Sequence, residues 1–239
     1  MDKISLKILI FPIGSYEYHG EKLPPDTDSL IANHITNDIF KLLKQKYHNN
    51  IIILPSLNFS LSIEHSNLPN TAHISHKTFY DFIFELFNSL VKNNTIIIII
   101  NAHGGNIHTL ASIEADFNYT HKNCKIIAPN IYSSKIKELC VKFFGEFDTH
   151  SGSVESSLIA FYQNKQVKKE YKIIPSKKFS GSLRFFKTEE LYPQGIIKEL
   201  PIVIADPKKG KILHNEIINY LYSHIIDLII KINSSNVEK

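Results

Sequence analysis

Short aliphatic and β-branched runs alternate along the first half of the chain with longer stretches in which apolar residues return every three or four positions. Residues 6–13, 51–54, 95–101 and 125–128 are of the first kind, and such runs form strands buried on both faces. Residues 29–47, 76–92 and 106–120 are of the second kind, as in the series Ile31, Ile35, Ile39 and Leu42, and predict helices. The alternation predicts an α/β protein, a three-layer αβα sandwich around a mostly parallel central sheet joined by right-handed crossovers. A further helix is predicted at 153–163. The C-terminal helix, carrying Ile217, Leu221, Ile225 and Leu228, is expected to reach Ile232. Residues 173–201 hold Gly181, Pro193, Gly195 and Pro201 among polar residues, which predicts a loop or small hairpin excursion over a site. The polar residues 233–239 are expected to fray.

Composition narrows the class. The 239 residues are 43% hydrophobic and 21% charged, which suits one soluble α/β domain over residues 1–239. The net charge of +4 comes from scattered lysines and not from a basic patch, so no nucleic-acid partner is expected. The longest purely apolar run, residues 96–100, falls far short of the ~20 residues that cross a bilayer, and no membrane partner is expected. Lys3 and Lys7 precede an apolar stretch, but no small-residue cleavage site follows. Cys124 and Cys140 lack metal or redox spacing and read as buried thiols; a cytoplasmic location is the expectation.

Three polar clusters interrupt this pattern where strands end or helices begin. In the first, Glu17 and His19 lie in Gly14-Ser15-Tyr16-Glu17-Tyr18-His19-Gly20, and Asp28 opens the next helix. Ligands of open α/β sheets bind beyond the carboxyl ends of the strands, where these side chains would fall. Taken singly, each has a structural alternative: Asp28 as a helix cap, Glu17 and His19 as loop residues. The second, Asn101-Ala102-His103-Gly104-Gly105-Asn106, follows the most apolar strand. Its glycines permit close backbone approach and His103 offers a nitrogen to a metal, although such a turn could equally cradle a phosphate. The third runs from Asp148 through His150 to Glu155 at the start of a helix, where an acidic first turn is the ordinary reading of Glu155.

Read together, Gly-Ser-x-Glu-x-His-Gly, Leu-Pro-x-x-Thr-Asp, Asn-x-His-Gly-Gly-Asn and His-x-Gly-x-x-Glu resemble the creatininase family. Glu64-His65 followed by Leu68-Pro69-Asn70-Thr71, and Asp206-Pro207 ahead of residues 208–211, are similar to further family segments. The resemblance implies a creatininase-like sandwich with a binuclear centre of two divalent ions, zinc, manganese or iron, with Glu17, His19, Asp28 and His103 as ligands and Asp28 bridging. Creatininase itself has a glutamate two residues beyond its histidine; Gly105 stands there, so Glu155 is implied as the fifth ligand.

The implied activity is hydrolysis of a non-peptide carbon–nitrogen bond, in an amide, cyclic amide or formamide of a small molecule, by a metal-bridging hydroxide. His150 is the candidate proton shuttle, with Glu155 beside it in the catalytic set; capping or support of a ligand is the alternative for His150. His65, Gly104, Gly105 and Asn106 are candidate substrate contacts. Other activities within the resemblance are deformylation of a formamidopyrimidine ribonucleotide and trimming of a precursor peptide. A non-catalytic metal-binding protein is the reading from a different class. The resemblance also implies a homo-oligomer.

Overall fold

The computed structural model describes residues 6–91, 94–166, 168–174 and 186–235. Four parallel strands, β1 (Lys7–Ile13), β2 (Ile51–Ile53), β3 (Thr95–Asn101) and β4 (Cys124–Ile127), form a sheet in the order β2-β1-β3-β4. β1 and β3 pair along their full length, from Lys7 opposite Thr95 to Ile13 opposite Asn101. Side chains alternate across a strand, so a continuous apolar run feeds two cores. Ile8, Ile10, Ile96, Ile98 and Ile100 enter one core; Leu9, Phe11, Ile13, Ile97 and Ile99 enter the other.

Helices α1 (Thr27–Tyr47), α4 (Ser134–Phe144), α5 (Ser153–Tyr162) and α7 (Pro207–Ser235) cover the first face through Ile31, Ile35, Cys140, Leu158, Ile217 and Leu221. Helices α2 (His76–Leu90) and α3 (Ile107–Thr120) cover the second through Phe79, Ile83, Phe87, Leu110, Ile113 and Phe117. The result is the three-layer αβα sandwich with a parallel central sheet. β1 leads to α1 on one face and β3 leads to α3 on the other, so the connections diverge between two adjacent strands. That divergence opens a crevice at the carboxyl ends of β1 and β3, the position at which open α/β sheets bind ligands.

The structure departs from the sequence pattern in several places. α4 was not among the predicted helices, although Ile136, Cys140 and Phe144 recur every four residues on its buried side. An antiparallel pair, β5 (Lys169–Lys172) and β6 (Ile202–Ala205), also went unpredicted: β5 reads Lys-Glu-Tyr-Lys and is largely exposed, so it carries no apolar alternation. Within the irregular segment, residues 175–185 lie outside the described residues, and the remainder holds a four-residue helix, α6 (Thr188–Leu191). Residues 233–235, expected to fray, continue α7, while 236–239 and Lys92 lie outside the described residues. No helix among the described residues is long and apolar enough to cross a membrane.

Candidate metal centre

Each polar cluster is delivered to the crevice by a different element. The chain leaves β1 and carries Glu17 and His19 in a loop held by the Glu17 N–H, which donates to the Pro25 carbonyl at 3.0 Å. Asp28 stands in the first turn of α1, and His103 follows β3 by two residues. Glu155 occupies the first turn of α5. His150 is held by an antiparallel bridge to Ile197, and His65 closes a short turn at Ile63–His65. All seven side chains are buried.

The three acids and four imidazoles meet within a few ångströms. His103 Nδ1 lies 3.0 Å from Asp28 Oδ2 and 3.3 Å from Glu17 Oε1. His19 Nε2 lies 3.5 Å from Asp28 Oδ1, 3.7 Å from Glu155 Oε2 and 4.0 Å from Glu17 Oε1. His150 Nδ1 and His65 Nε2 approach Glu17 Oε1 at 3.3 and 3.7 Å. Three overlapping groups, Glu17–His19–Asp28, His19–His150–Glu155 and Glu17–His65–His150, each bring their donor atoms within 4.8 Å of one another.

The backbone decides which nitrogen of each ring faces the acids. A carbonyl oxygen only accepts hydrogen bonds, so the ring nitrogen touching it carries the hydrogen. His19 donates from Nδ1 to the Glu17 carbonyl at 2.9 Å, His150 from Nε2 to the Tyr18 carbonyl at 2.8 Å, and His103 from Nε2 to the Leu61 carbonyl. The opposite nitrogen of each neutral ring therefore presents a lone pair to carboxylate oxygens, which are acceptors themselves. Acceptor facing acceptor is unfavourable in a buried site without a proton or cation between them. Glu17 Oε1, Glu17 Oε2 and His19 Nε2 have no hydrogen-bond partner although fully buried. A divalent ion fits this donor set: oxygen and imidazole ligands, the imidazoles oriented through their second nitrogens.

The electrostatics describe the same conflict. Burial raises the Glu17 carboxyl, but His103 and His65 beside it outweigh burial and hold it far below the carboxylate range. Asp28 behaves alike, burial being overcome by His19 and His103. Burial disfavours a charged His19, yet Asp28, Glu155 and Glu17 raise it to about 10, and Glu17 and Asp28 raise His103. For Glu155 burial prevails over His19, and its carboxyl is pushed up to about 8. His150 is driven well below the histidine range by burial, then by His65 and His19. The raised His19 and His103 mark a cluster that favours positive charge, and a divalent ion bound there would take the place of their protons.

The family model for creatinine amidohydrolase matches residues 3–225. The chain belongs to the creatininase family. A mycofactocin precursor peptide peptidase of Mycolicibacterium smegmatis is 25% identical over 152 residues, 64% of this chain and 56% of that protein. A 2-amino-5-formylamino-6-ribosylaminopyrimidin-4(3H)-one 5'-monophosphate deformylase of Methanococcus maripaludis is 34% identical over 128 residues, 51% of each. The chain thus spans about half the length of the curated relatives it matches. A creatinine amidohydrolase crystal structure is similar with a TM-score of 0.70 at 16% identity, covering 93% of this chain and 90% of that one. A manganese creatininase is similar with a TM-score of 0.70 at 14% identity, covering 93% and 91%. At such identities the likeness is one of fold.

Within this creatininase-family frame, the smaller residues of the motifs have visible work. A Cβ on Gly105 would lie 2.5 Å from His103 Nε2 and 2.6 Å from the Leu61 carbonyl, so any side chain there would break the contact that orients His103. Gly104 and Gly105 line the cavity; Asn106 does not. Asn106 is fully buried, donating to Asn101 Oδ1 at 2.9 Å and accepting from the Leu61 N–H at 3.2 Å, which ties the His103 turn to the Leu61 segment.

Other residues matter that sequence reasoning passed over. Ser15 donates to Asp28 Oδ2 at 2.7 Å. Ser151, at a φ of 57° that non-glycine residues rarely adopt, donates its N–H to Glu155 Oε2 at 2.6 Å and its hydroxyl to the His19 carbonyl. Ser15 lay inside a quoted motif; Ser151 had no signal beyond its place between His150 and Gly152. Of the cluster, Glu17, Asp28, His65, His103, His150 and Glu155 line a cavity of about 700 Å³, which Tyr132, Lys137 and Phe147 line as well.

Proposed function

We propose that the chain is a metal-dependent amidohydrolase that cleaves a carbon–nitrogen bond of a small molecule, holding two divalent ions with Glu17, His19, Asp28, His103 and Glu155. The observation that carries this reading is the trio of imidazoles whose N–H groups are committed to backbone carbonyls while their lone pairs face buried carboxylates. Bound there, divalent ions supply an activated water and polarise a carbonyl oxygen. Asp28, whose two oxygens face His103 and His19 respectively, would help hold the ions through both of them. Ser15 keeps one of those oxygens oriented.

His150 is the proton-carrying residue. Its Nε2–H is fixed on the Tyr18 carbonyl, so Nδ1 is the atom that accepts a proton and returns it to the departing nitrogen. His150→Ala separates the two roles open to it: full metal content with lost turnover supports proton transfer, whereas a lost ion makes it a ligand.

The named activities of the curated relatives, a peptidase and a formylaminopyrimidine deformylase, support hydrolysis of a carbon–nitrogen bond as the reaction class. The cavity volume suits a small molecule. Formamide hydrolysis is the second reading, supported by the 34% identity to the deformylase. Creatinine, a formamidopyrimidine nucleotide and short peptides, assayed for release of amine or formate with and without chelator, test the proposal. Chelator-sensitive release from one class is expected; bound metal with no release from any would favour a non-catalytic metal-binding protein.

A further inference from the structure

We propose that the cavity takes an anionic substrate, carrying a carboxylate or phosphate group that Lys137 receives while the scissile bond lies at the acid–histidine cluster. The assignment rests on reading this cavity as the substrate site and deepens it by naming a charge class.

Five acids line the cavity, Glu17, Asp28, Glu64, Asp148 and Glu155. Each has an imidazole, ammonium or N–H group nearby, the longest approach being the 3.9 Å of Glu64. Glu17, Asp28 and Glu155 belong to the histidine cluster, and Glu64 Oε1 lies 3.9 Å from His103 Nε2. Asp148 accepts from the Ser153 and Val154 N–H groups at the start of α5 and lies 3.5 Å from Lys198 Nζ. Lys137 is the cavity's lysine, and among the described residues no carboxylate lies within ion-pair distance of its ammonium.

Its place is also defined. Lys137 leaves the first half of α4, a helix anchored beneath it by Ile136 and Cys140, and its Nζ stands 5.4 Å from the centre of the Phe147 ring. Phe147 in turn meets Tyr132 edge-on at 5.4 Å, and both rings line the same cavity. The lining therefore offers an aromatic pair with a cation beside it, in the same cavity as the acid–histidine cluster. A neutral compound of creatinine's size would leave the cavity, at about 700 Å³, largely unfilled. A longer molecule with a negative group at its far end would satisfy both the cluster and Lys137.

Calorimetric titration of metal-replete protein with phenyl phosphate, benzoate and benzyl alcohol tests this without requiring turnover, so it can fail or succeed independently of the hydrolase reading. The wild-type chain is expected to bind at least one anion roughly tenfold more tightly than benzyl alcohol, and Lys137→Met to remove that preference while leaving benzyl alcohol unchanged. Lys137→Arg should restore it. Loss confined to phenyl phosphate assigns the phosphate class, and loss confined to benzoate the carboxylate class. Equal binding of the anions by wild type and Lys137→Met, or no preference in wild type, would overturn the proposal.

Discussion

Two clusters of histidine and carboxylate among the described residues, one wholly buried and one whose Asp38 is partly exposed, are built by opposite rules. In the one between α1, α5 and α7, the Tyr162 hydroxyl donates to His214 Nδ1 at 2.9 Å and His214 Nε2 donates to Asp38 Oδ2 at 2.9 Å. Asp38 Oδ1 takes Lys41 Nζ at 2.7 Å, so each acceptor has its donor. In the cluster at the ends of β1 and β3, donors point away into backbone carbonyls and acceptors are turned on one another. Complete pairing characterises polar burial that serves the fold. Pairing left incomplete in the middle of a cavity characterises a place kept for a cation, and only the second cluster has it.

This contrast can be broken by substitutions in either cluster. The largest effect is expected for Asp28→Asn, which removes a proposed ligand charge: hydrolysis should fall by more than roughly a hundredfold, with loss of bound metal measured by elemental analysis, since perturbing residues that merely orient ligands costs 10–100-fold. Glu155→Ala should lose one ion and retain the other; retention of both would remove Glu155 from the ligand set. His214→Phe leaves the Tyr162 hydroxyl unpaired and should destabilise the chain by about 1–3 kcal/mol in denaturant titration. Metal content and turnover should not change in that variant.

The smallest effect is a pH slope. His214 is held below 6.5, chiefly by burial, with Asp38 opposing. The unfolded chain therefore takes up that proton first, so the contribution of His214 is complete above pH 6.5 and is lost progressively below it. Asp38 is itself lowered from 3.8, burial being overcome by Lys41 and His214, so its contribution persists through that window and declines only below about that value. His34, lowered by burial and by His214, acts in the same direction as His214. The stability difference between wild type and His214→Phe should thus shrink as pH falls from 6.5 to 5; a difference independent of pH would remove His214 from the account.

The same contrast explains what could be read before the fold was seen. Doubly buried parallel strands are continuous apolar runs, so β1 and β3 were evident, and the residues following them were polar, glycine-flanked and placed by rule at the carboxyl edge. The metal-suited cluster was legible because its members sit in short motifs. Tyr162, His214 and Asp38 were not, being 52 and 176 residues apart in the pairs that meet and carrying no local pattern. The β5–β6 pair was hidden by its exposed, charged first strand. His65 was expected as a substrate contact; it lines the cavity, and its ring also stacks on His150 at 4.2 Å, a juxtaposition that depends on tertiary packing. Lys137 looked like one more surface lysine until the cavity lining was known.

The central claim is that the acceptor-rich cluster is completed by metal. Elemental analysis of the chain, purified under metal-replete conditions and freed of loose ions by gel filtration, tests it most directly. About two divalent ions per chain are expected, as in other two-metal hydrolytic sites, and the same number in His214→Phe. Fewer than one ion per chain in the folded wild-type protein would contradict the account.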